Sequence, residues 1–95
     1  MPELTLSPEA EQDLIDIWSY IAENSPTNAD KYIDKLYSKS SLLADNPDIG
    51  TPYTKLIDEL YRFPVDHYLL FYRKYSDGIE IIRILHSSRD IEAIL

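Results

Sequence analysis

Two runs of β-branched and aromatic residues, Tyr68–Tyr75 and Ile79–His86, are joined by a Ser-Asp-Gly sequence. Asp-Gly between two such runs is a strong local signal for a two-residue type I′ turn, because both central residues of that turn need a positive φ. With Asp77-Gly78 as the turn, Ser76 lies opposite Ile79, and this pair sets the register of the strands. The chain is therefore predicted to fold around one antiparallel β-hairpin.

This register predicts different roles for the two faces of the hairpin. One face is apolar around its middle and carries Leu69, Phe71, Ile82 and Ile84. The other face mixes aromatic and charged residues, with Arg83 opposite Tyr72, and carries Tyr68, Leu70, Tyr72, Lys74, Ile81, Arg83 and Leu85. Because a continuous apolar face is buried in a half-exposed sheet, the first face is predicted to be the core and the second to be the functional face.

Two helices are predicted before the hairpin. Ser7 and Pro8 are typical of a helix N-cap and first turn, and apolar residues then recur at helical spacing. This helix should end near Asn24, because the residue before a proline avoids helical angles. Ser25-Pro26 begins a second helix that ends before Pro47. So short a connection predicts an antiparallel helical hairpin.

The remaining elements complete an α+β domain. Residues 4–6 are predicted to form a short edge strand and residues 46–59 a loop. Residues 60–63 are predicted to form a strand with Pro64 at its end or at a bulge, and residues 90–95 a helical turn or tail. The predicted fold is a helical hairpin packed on a small, mostly antiparallel sheet, in the order β-α-α-β-β-β with a short C-terminal helix. We expect residues 1–95 to form a single domain.

The composition excludes several classes of site. The chain has no cysteine, which rules out a disulfide scaffold, a thiol nucleophile and a cysteine-based zinc site. No phosphate loop, nucleotide fingerprint or metal-ligand spacing occurs, so neither a cofactor nor a metal is expected. The N-terminal residues lack the features of a signal peptide, and no apolar run approaches the length of a membrane span. A cytoplasmic protein is the expectation.

Charge is distributed unevenly along the chain. Residues 1–59 hold twelve acids and four lysines, whereas residues 60–95 hold five acids and five bases, including all four arginines. The net charge of −8 disfavours an extended electrostatic grip on nucleic acid, which needs a basic surface. No sequence-specific nucleic-acid binding by this chain alone is expected, although arginines can still recognise an anion locally.

The two histidines are the main candidates for chemistry. His67 is expected to be a turn residue between strands. His86 ends a predicted strand just before Ser87-Ser88, and two interpretations of it stay open. It can bond a nearby backbone carbonyl, or it can act as a general acid or base, which requires a reacting group beside it.

Three segments together resemble the ParE branch of the RelE/ParE toxin superfamily: LSPEAEQDLIDIWSYIAEN, LYRFPVDHYLLFYR and DGIEIIRILHSSRD. The resemblance runs from Leu4 to Ile91, and its sharpest part is the hairpin that ends in His-x-x-Arg-Asp. It implies a toxin that poisons DNA gyrase by binding rather than by catalysis, and that forms a hetero-oligomer with a ParD-like antitoxin. It also implies a helical hairpin against an antiparallel sheet, in agreement with the pattern of elements above.

Two sets of contact residues are predicted for these partners. Those for the target lie around the end of the sheet: Arg62, Arg83, His86 and Arg89. The antitoxin is expected to place an amphipathic helix on the exposed side of the helical hairpin, against Leu14, Trp18, Ile21 and Tyr37.

The superfamily also contains ribosome-dependent messenger-RNA endonucleases, which are strongly basic. Arg89 matches the position of a catalytic arginine in those nucleases, whereas Tyr68 stands in place of another arginine and Leu95 falls near their catalytic tyrosine. Cleavage of RNA needs a base, an acid and a cation around one phosphate. An mRNA endonuclease that relies on His86 and Arg89 is therefore an alternative, and an inactive module that only binds an antitoxin is another.

Overall fold

The computed structural model describes residues 2–54 and 57–95. Its elements are β1 (Glu3–Leu6), α1 (Pro8–Ala22), α2 (Pro26–Asp45), β2 (Thr51–Pro52), β3 (Leu60–Val65), β4 (Tyr68–Tyr75), β5 (Gly78–His86) and α3 (Ile91–Ile94). The predicted α+β fold and order of elements are confirmed, with the two-residue strand β2 added inside the predicted loop 46–59. Residues 55 and 56 of that loop lie outside the described residues.

Both long helices begin at the predicted serines. The Ser7 hydroxyl accepts a hydrogen bond from the Ala10 N–H (3.0 Å) and donates one to the Ile82 carbonyl (2.6 Å), so this cap also ties α1 to the sheet. The Ser25 hydroxyl accepts from the Asn28 N–H (3.2 Å). Since only a few residues separate the helices, they pack against each other as an antiparallel pair over one face of the sheet.

The sheet has the strand order β1-β5-β4-β3-β2, in which β1 runs parallel to β5 and all other neighbours are antiparallel. Strand β1 forms one edge, as predicted. Strand β3 continues through Pro64 to Val65 instead of closing at Pro64, and Pro64 pairs with Leu69.

The predicted register of the β4–β5 hairpin is wrong. Tyr75 pairs with Gly78, so the two-residue turn is Ser76-Asp77, and neither turn residue has a positive φ. Gly78 belongs to strand β5, where its Cα faces the backbone of Glu3 so closely that a Cβ would collide with it. The glycine therefore permits the approach of β1 and does not form the turn.

A bulge also changes the faces of the hairpin. Tyr72 pairs with Ile81 whereas Phe71 pairs with Arg83, so Ile82 is an extra residue in β5 and Arg83 is not opposite Tyr72. The predicted functional face is in fact the one beneath the helices, where the main core contains Leu70, Tyr72, Ile79, Ile81 and Ile84. The opposite face holds a smaller apolar cluster of Leu60, Phe71 and Leu85, with Leu69, Ile82 and α3 packed against it.

None of the helices among the described residues is long and apolar enough to cross a membrane.

Candidate functional site

Arg83 is held by an ion pair inside the fold. Its Nε and Nη2 atoms donate to the two carboxylate oxygens of Asp13 on α1, at 2.8 and 3.0 Å. Asp13 is buried and also accepts a hydrogen bond from the Ile84 N–H (2.9 Å). Hydrogen bonding to Asp13 raises the pKa of Arg83 above its ordinary value, so the guanidinium stays charged. Arg83 therefore fastens α1 to β5, and its guanidinium is already engaged.

Arg62 lies on β3, at the side of the sheet that faces away from the helices. Its guanidinium carbon is 5.2 Å from the centre of the Tyr53 ring, and that ring packs edge-on against Phe71. This cation–π contact leaves the hydrogen-bond donors of Arg62 available at the surface.

His86 lies at the end of β5, and its Nδ1 atom is bonded to Ser88. The Ser88 N–H donates to Nδ1 (3.1 Å), and the Ser88 hydroxyl lies 2.7 Å from the same atom. Because a backbone N–H can only donate, Nδ1 is the acceptor in this arrangement and the ring proton resides on Nε2. His86 therefore does bond the local backbone, but its partner at Nδ1 is the N–H of Ser88 and not the predicted carbonyl.

Aromatic rings gather around His86 where the helices meet the ends of the strands. The His86 ring stacks on His67 at 5.9 Å and meets Tyr68 edge-on at 5.2 Å, while Tyr68 lies 5.8 Å from Tyr32 of α2. These rings and Tyr20 line a groove of about 610 Å³ that also contains Ile21, Asp66, Ser88 and Arg89. We call it the strand-end groove.

The carboxylate of this groove is already paired. Asp66 takes the left-handed conformation (φ 55°) in the turn between β3 and β4, and its Oδ2 accepts a hydrogen bond from the Lys35 ammonium at 2.8 Å. This bond lowers the pKa of Asp66. Burial, together with the negative charge and hydrogen bond of Asp66, raises the pKa of Tyr32 to about 12. Tyr32 therefore stays a neutral donor at physiological pH.

A second groove crosses the outer side of the helical hairpin. It has a volume of about 370 Å³, and its lining residues are Glu11, Leu14, Ile15, Trp18, Ile33 and Tyr37. Three large apolar side chains there are unusually exposed: Ile15 by 57%, Trp18 by 38% and Tyr37 by 45%. The Trp18 indole N–H donates to Asp30 (2.8 Å), which fixes the ring across the two helices. We call this surface the hairpin groove.

The structure thus separates the predicted site residues. His86 and Arg89 share the strand-end groove, Arg62 lies elsewhere and Arg83 is paired within the fold. Of the predicted antitoxin contacts, Leu14, Trp18 and Tyr37 meet in the hairpin groove, whereas Ile21 lines the strand-end groove.

Several groove residues were not predicted from the sequence. Ile15 lies in the apolar stripe of α1 and could have been found from the width of that stripe. Tyr20, Tyr32 and Asp66 carry no local signal, because only tertiary packing brings them beside the predicted turn residue His67.

Metal chemistry finds no support in the described part of the chain. No group of three or more histidine, cysteine, aspartate or glutamate residues there could hold a metal ion.

Known proteins resemble this chain over nearly its whole length. The family model for the ParE toxin of the parDE type II toxin–antitoxin system matches residues 4–91. Toxin RelE3 of Caulobacter vibrioides is 35% identical over 88 residues, which cover 92% of this chain and 96% of the relative. Toxin ParE1 of the same organism is 32% identical over 96 residues, covering 100% of this chain and 99% of the relative.

A solved structure has the same fold. It is described as the chromosomal ParDE TA system from P. aeruginosa, and it matches with a TM-score of 0.76 at 21% identity, over 90% of this chain and 96% of that one.

Proposed function

Because the chain belongs to the ParE toxin family of type II toxin–antitoxin systems, we propose that it is a cytoplasmic, non-enzymatic toxin that poisons DNA gyrase and is neutralised by a ParD-like antitoxin. The observation that carries the proposal is the exposed apolar hairpin groove, which has the character of a protein-binding surface. Exposed aromatic side chains clustered in one groove are typical of the centre of a protein interface.

The hairpin groove fits an amphipathic helix of the antitoxin. Ile15, Trp18 and Tyr37 offer an apolar floor, while Glu11 and Asp30 place acidic groups around it. A helix with apolar residues on one side and lysines or arginines beside them would complement both features. The contacting segment of the antitoxin should therefore be less acidic than such segments usually are.

Substitution of Trp18 tests this placement. Trp18→Glu puts a charge in the middle of the apolar floor and removes a large aromatic contact, so the Kd of the antitoxin complex should rise by about 30-fold or more. Tyr75→Ala is the matched control, because Tyr75 is an exposed aromatic residue (55%) at the C-terminal end of β4 and does not line the hairpin groove. Equal affinities of Trp18→Glu and the unaltered toxin would exclude the hairpin groove as the antitoxin site.

For gyrase, we propose contacts through Arg62, His86 and Arg89. Arg89 is exposed and Arg62 is partly so, and both carry donors suited to carboxylate or phosphate groups of a target. Arg83 was predicted in the same set, but its ion pair with Asp13 gives it a role in holding α1 on the sheet. Replacement of Arg83 is therefore expected to lower the stability of the fold rather than to weaken target binding directly.

Purified gyrase tests the target. The folded toxin should inhibit supercoiling or accumulate cleaved DNA at micromolar concentration, and prior addition of the antitoxin should prevent either effect. Arg89→Gln should weaken the effect, whereas Arg73→Gln, at an exposed arginine on β4, should not. Full gyrase activity in the presence of folded toxin would exclude gyrase as the target.

One observation favours a second candidate, a ribosome-dependent mRNA endonuclease. A nuclease of this kind would have to rely on His86 and Arg89 as its chemical groups. Both residues line the strand-end groove together with His67. A nuclease of this kind would cut ribosome-bound message in vitro, and His86→Ala would abolish the cut. Intact message after incubation with the toxin would remove this candidate.

A further inference from the structure

We propose that Trp18 and Asp30 together form a receptor for one arginine of the antitoxin helix, with the guanidinium stacked on the indole ring and bonded to the carboxylate. Trp18 lines the hairpin groove, and its indole N–H reaches Asp30 on α2. The receptor rests on the proposed function, because it takes the antitoxin helix to lie in that groove. It adds which side chain of the partner is recognised and which toxin residue selects it.

The Trp18 ring is held in place at the surface. Its indole N–H donates to Oδ1 of Asp30 at 2.8 Å, so a side chain of α1 is tied to a side chain of α2. The Trp18 side chain is 38% exposed, so a partner can reach it from the groove. Because the ring is already fixed, little side-chain freedom is lost when a partner covers it.

Asp30 can accept a second hydrogen bond. Its side chain is exposed, and its Oδ2 atom receives no hydrogen bond from any described residue. An ionised carboxylate accepts at both oxygens, and its strongest bonds come from charged donors. One oxygen of Asp30 therefore positions the indole ring while the other remains open to a cation of the partner.

The charge around this pair is negative. Glu11 lines the groove, and α1 as a whole contains four acids and no lysine or arginine. The lysines of α2 lie on another side of that helix: Lys35 bonds to Asp66 in the turn between β3 and β4, and Lys31 precedes Lys35 by one turn. Within the described part of the chain, neither Asp30 nor Glu11 forms an ion pair. A cation of the partner is therefore attracted to this side of the groove.

An arginine suits the Trp18–Asp30 pair better than a lysine does. The planar guanidinium can stack on an indole face while its N–H groups donate to a carboxylate. A lysine ammonium is a compact and strongly hydrated charge, so it has to give up more water to contact the ring. Tryptophan and arginine are also the residues that most often dominate the energy of a protein interface. The antitoxin helix should carry this arginine beside the apolar residues that fill the groove.

Titration of the full-length toxin with its cognate antitoxin, followed by calorimetry, tests the receptor. Asp30→Ala removes both the charge and the support of the ring, so the Kd should rise about 30-fold. Asp30→Asn keeps an oxygen for the indole N–H and removes only the charge, so the Kd should rise about tenfold. Asp34→Asn is the matched control, because it removes the same charge from an exposed position one turn further along α2, and it should change the Kd less than about threefold. Equal effects of Asp30→Asn and Asp34→Asn would show general attraction and overturn the receptor.

An exchange of charges identifies the partner residue. Asp30→Arg should raise the Kd at least about 100-fold, and replacement of one arginine of the antitoxin by glutamate should restore at least about tenfold of that loss. With the unaltered toxin, lysine in place of that arginine should raise the Kd about fivefold. If no arginine replacement restores binding, or if lysine binds as tightly as arginine, the assignment of a guanidinium is overturned.

The toxin alone reports on the position of the ring. The chain has a single tryptophan, so the one indole N–H signal in a proton–nitrogen NMR spectrum belongs to Trp18. Exchange of this proton with water should be at least about fivefold faster in Asp30→Ala and nearly unchanged in Asp30→Asn. An unchanged rate in Asp30→Ala would overturn the positioning role of Asp30.

Trp18→Glu separates failure of the receptor from failure of the proposed function. If Trp18→Glu weakens the antitoxin complex and Asp30→Arg does not, the antitoxin lies in the hairpin groove but Asp30 does not recognise it. If neither substitution weakens the complex, the hairpin groove is not the antitoxin site and both assignments are overturned.

Discussion

The buried carboxylate of Asp13 should be the most sensitive polar position in the protein. Asp13 accepts two hydrogen bonds from Arg83 and one from the Ile84 N–H, at 2.8, 3.0 and 2.9 Å. Its replacement by alanine leaves a guanidinium and a backbone N–H without partners. Breaking a buried ion pair in this way costs about 3–5 kcal/mol. Because the Arg83 side chain is 23% exposed and can partly rehydrate, we expect Asp13→Ala to lower the free energy of unfolding by about 2–3 kcal/mol.

Urea denaturation followed by circular dichroism measures this loss. Asp13→Asn keeps the shape of the side chain and one oxygen that can accept from the Ile84 N–H, but it removes the negative charge. The loss in the free energy of unfolding should therefore be about half that of Asp13→Ala. Asp16→Ala is the matched control on the next turn of α1, because Asp16 is exposed and its side chain bonds only to Gln12. That variant should lie within about 0.5 kcal/mol of the unaltered protein.

A double-mutant cycle isolates the pair. If Asp13 and Arg83 act as a unit, Asp13→Ala combined with Arg83→Met should cost clearly less than the sum of the two single changes. A cost below about 1 kcal/mol for Asp13→Ala, or additive costs in the cycle, would refute the assignment of this pair as the fastening of α1 to β5.

Further predictions concern the buried and half-buried tyrosines. The hydroxyl of the buried Tyr72 donates to the Pro47 carbonyl (2.8 Å) and accepts from the Gly50 N–H (3.0 Å). Tyr72→Phe should therefore lower the free energy of unfolding, measured by urea denaturation, by about 1–2 kcal/mol. An unchanged free energy of unfolding would mean that water satisfies the Pro47 and Gly50 groups equally well. Gly50→Ala should also destabilise the protein, because a Cβ there would collide with the Tyr72 ring. Burial and Asp66 raise the pKa of Tyr32 to about 12, so its stabilising contribution is full below the unfolded pKa of about 10 and is lost as the pH rises through 12. In an ultraviolet titration, Tyr32→Phe should remove a late-ionising tyrosine, and an unchanged curve would contradict the shift. The Lys35 ammonium lowers the pKa of Asp66, so Lys35→Met should raise that pKa in a carbon NMR titration. The contribution of this pair to stability is fully present above the unfolded Asp pKa and is lost as the pH falls through the lowered pKa of the folded state.

The helices and the order of the main elements along the chain could be predicted because their signals are local. Ser7 and Ser25, each followed by proline, specify where the two helices begin, and the structure confirms both caps. The register of the hairpin could not be predicted, because its determinants are not local. The close approach of Glu3 explains Gly78, and the extra residue Ile82 changes the pairing partway along β5. A shift of this kind moves side chains to the opposite face.

The candidate sites were predicted only in part for the same reason. Trp18 and Tyr37 share a groove because their helices pack side by side, as the short connection implied. Arg83 looked available in the sequence, since nothing local shows that Asp13, seventy residues away, would reach it. His67 and His86 are distant in the chain and become neighbours only through the pairing of Tyr68 with His86.

We propose that this toxin acts by binding another protein and not by cutting RNA. The most direct measurement incubates one folded preparation in parallel with gyrase on plasmid DNA and with ribosomes translating a defined message. We expect inhibited supercoiling or accumulated DNA breaks in the first reaction and intact message in the second. Cleaved message with fully active gyrase would contradict the proposal.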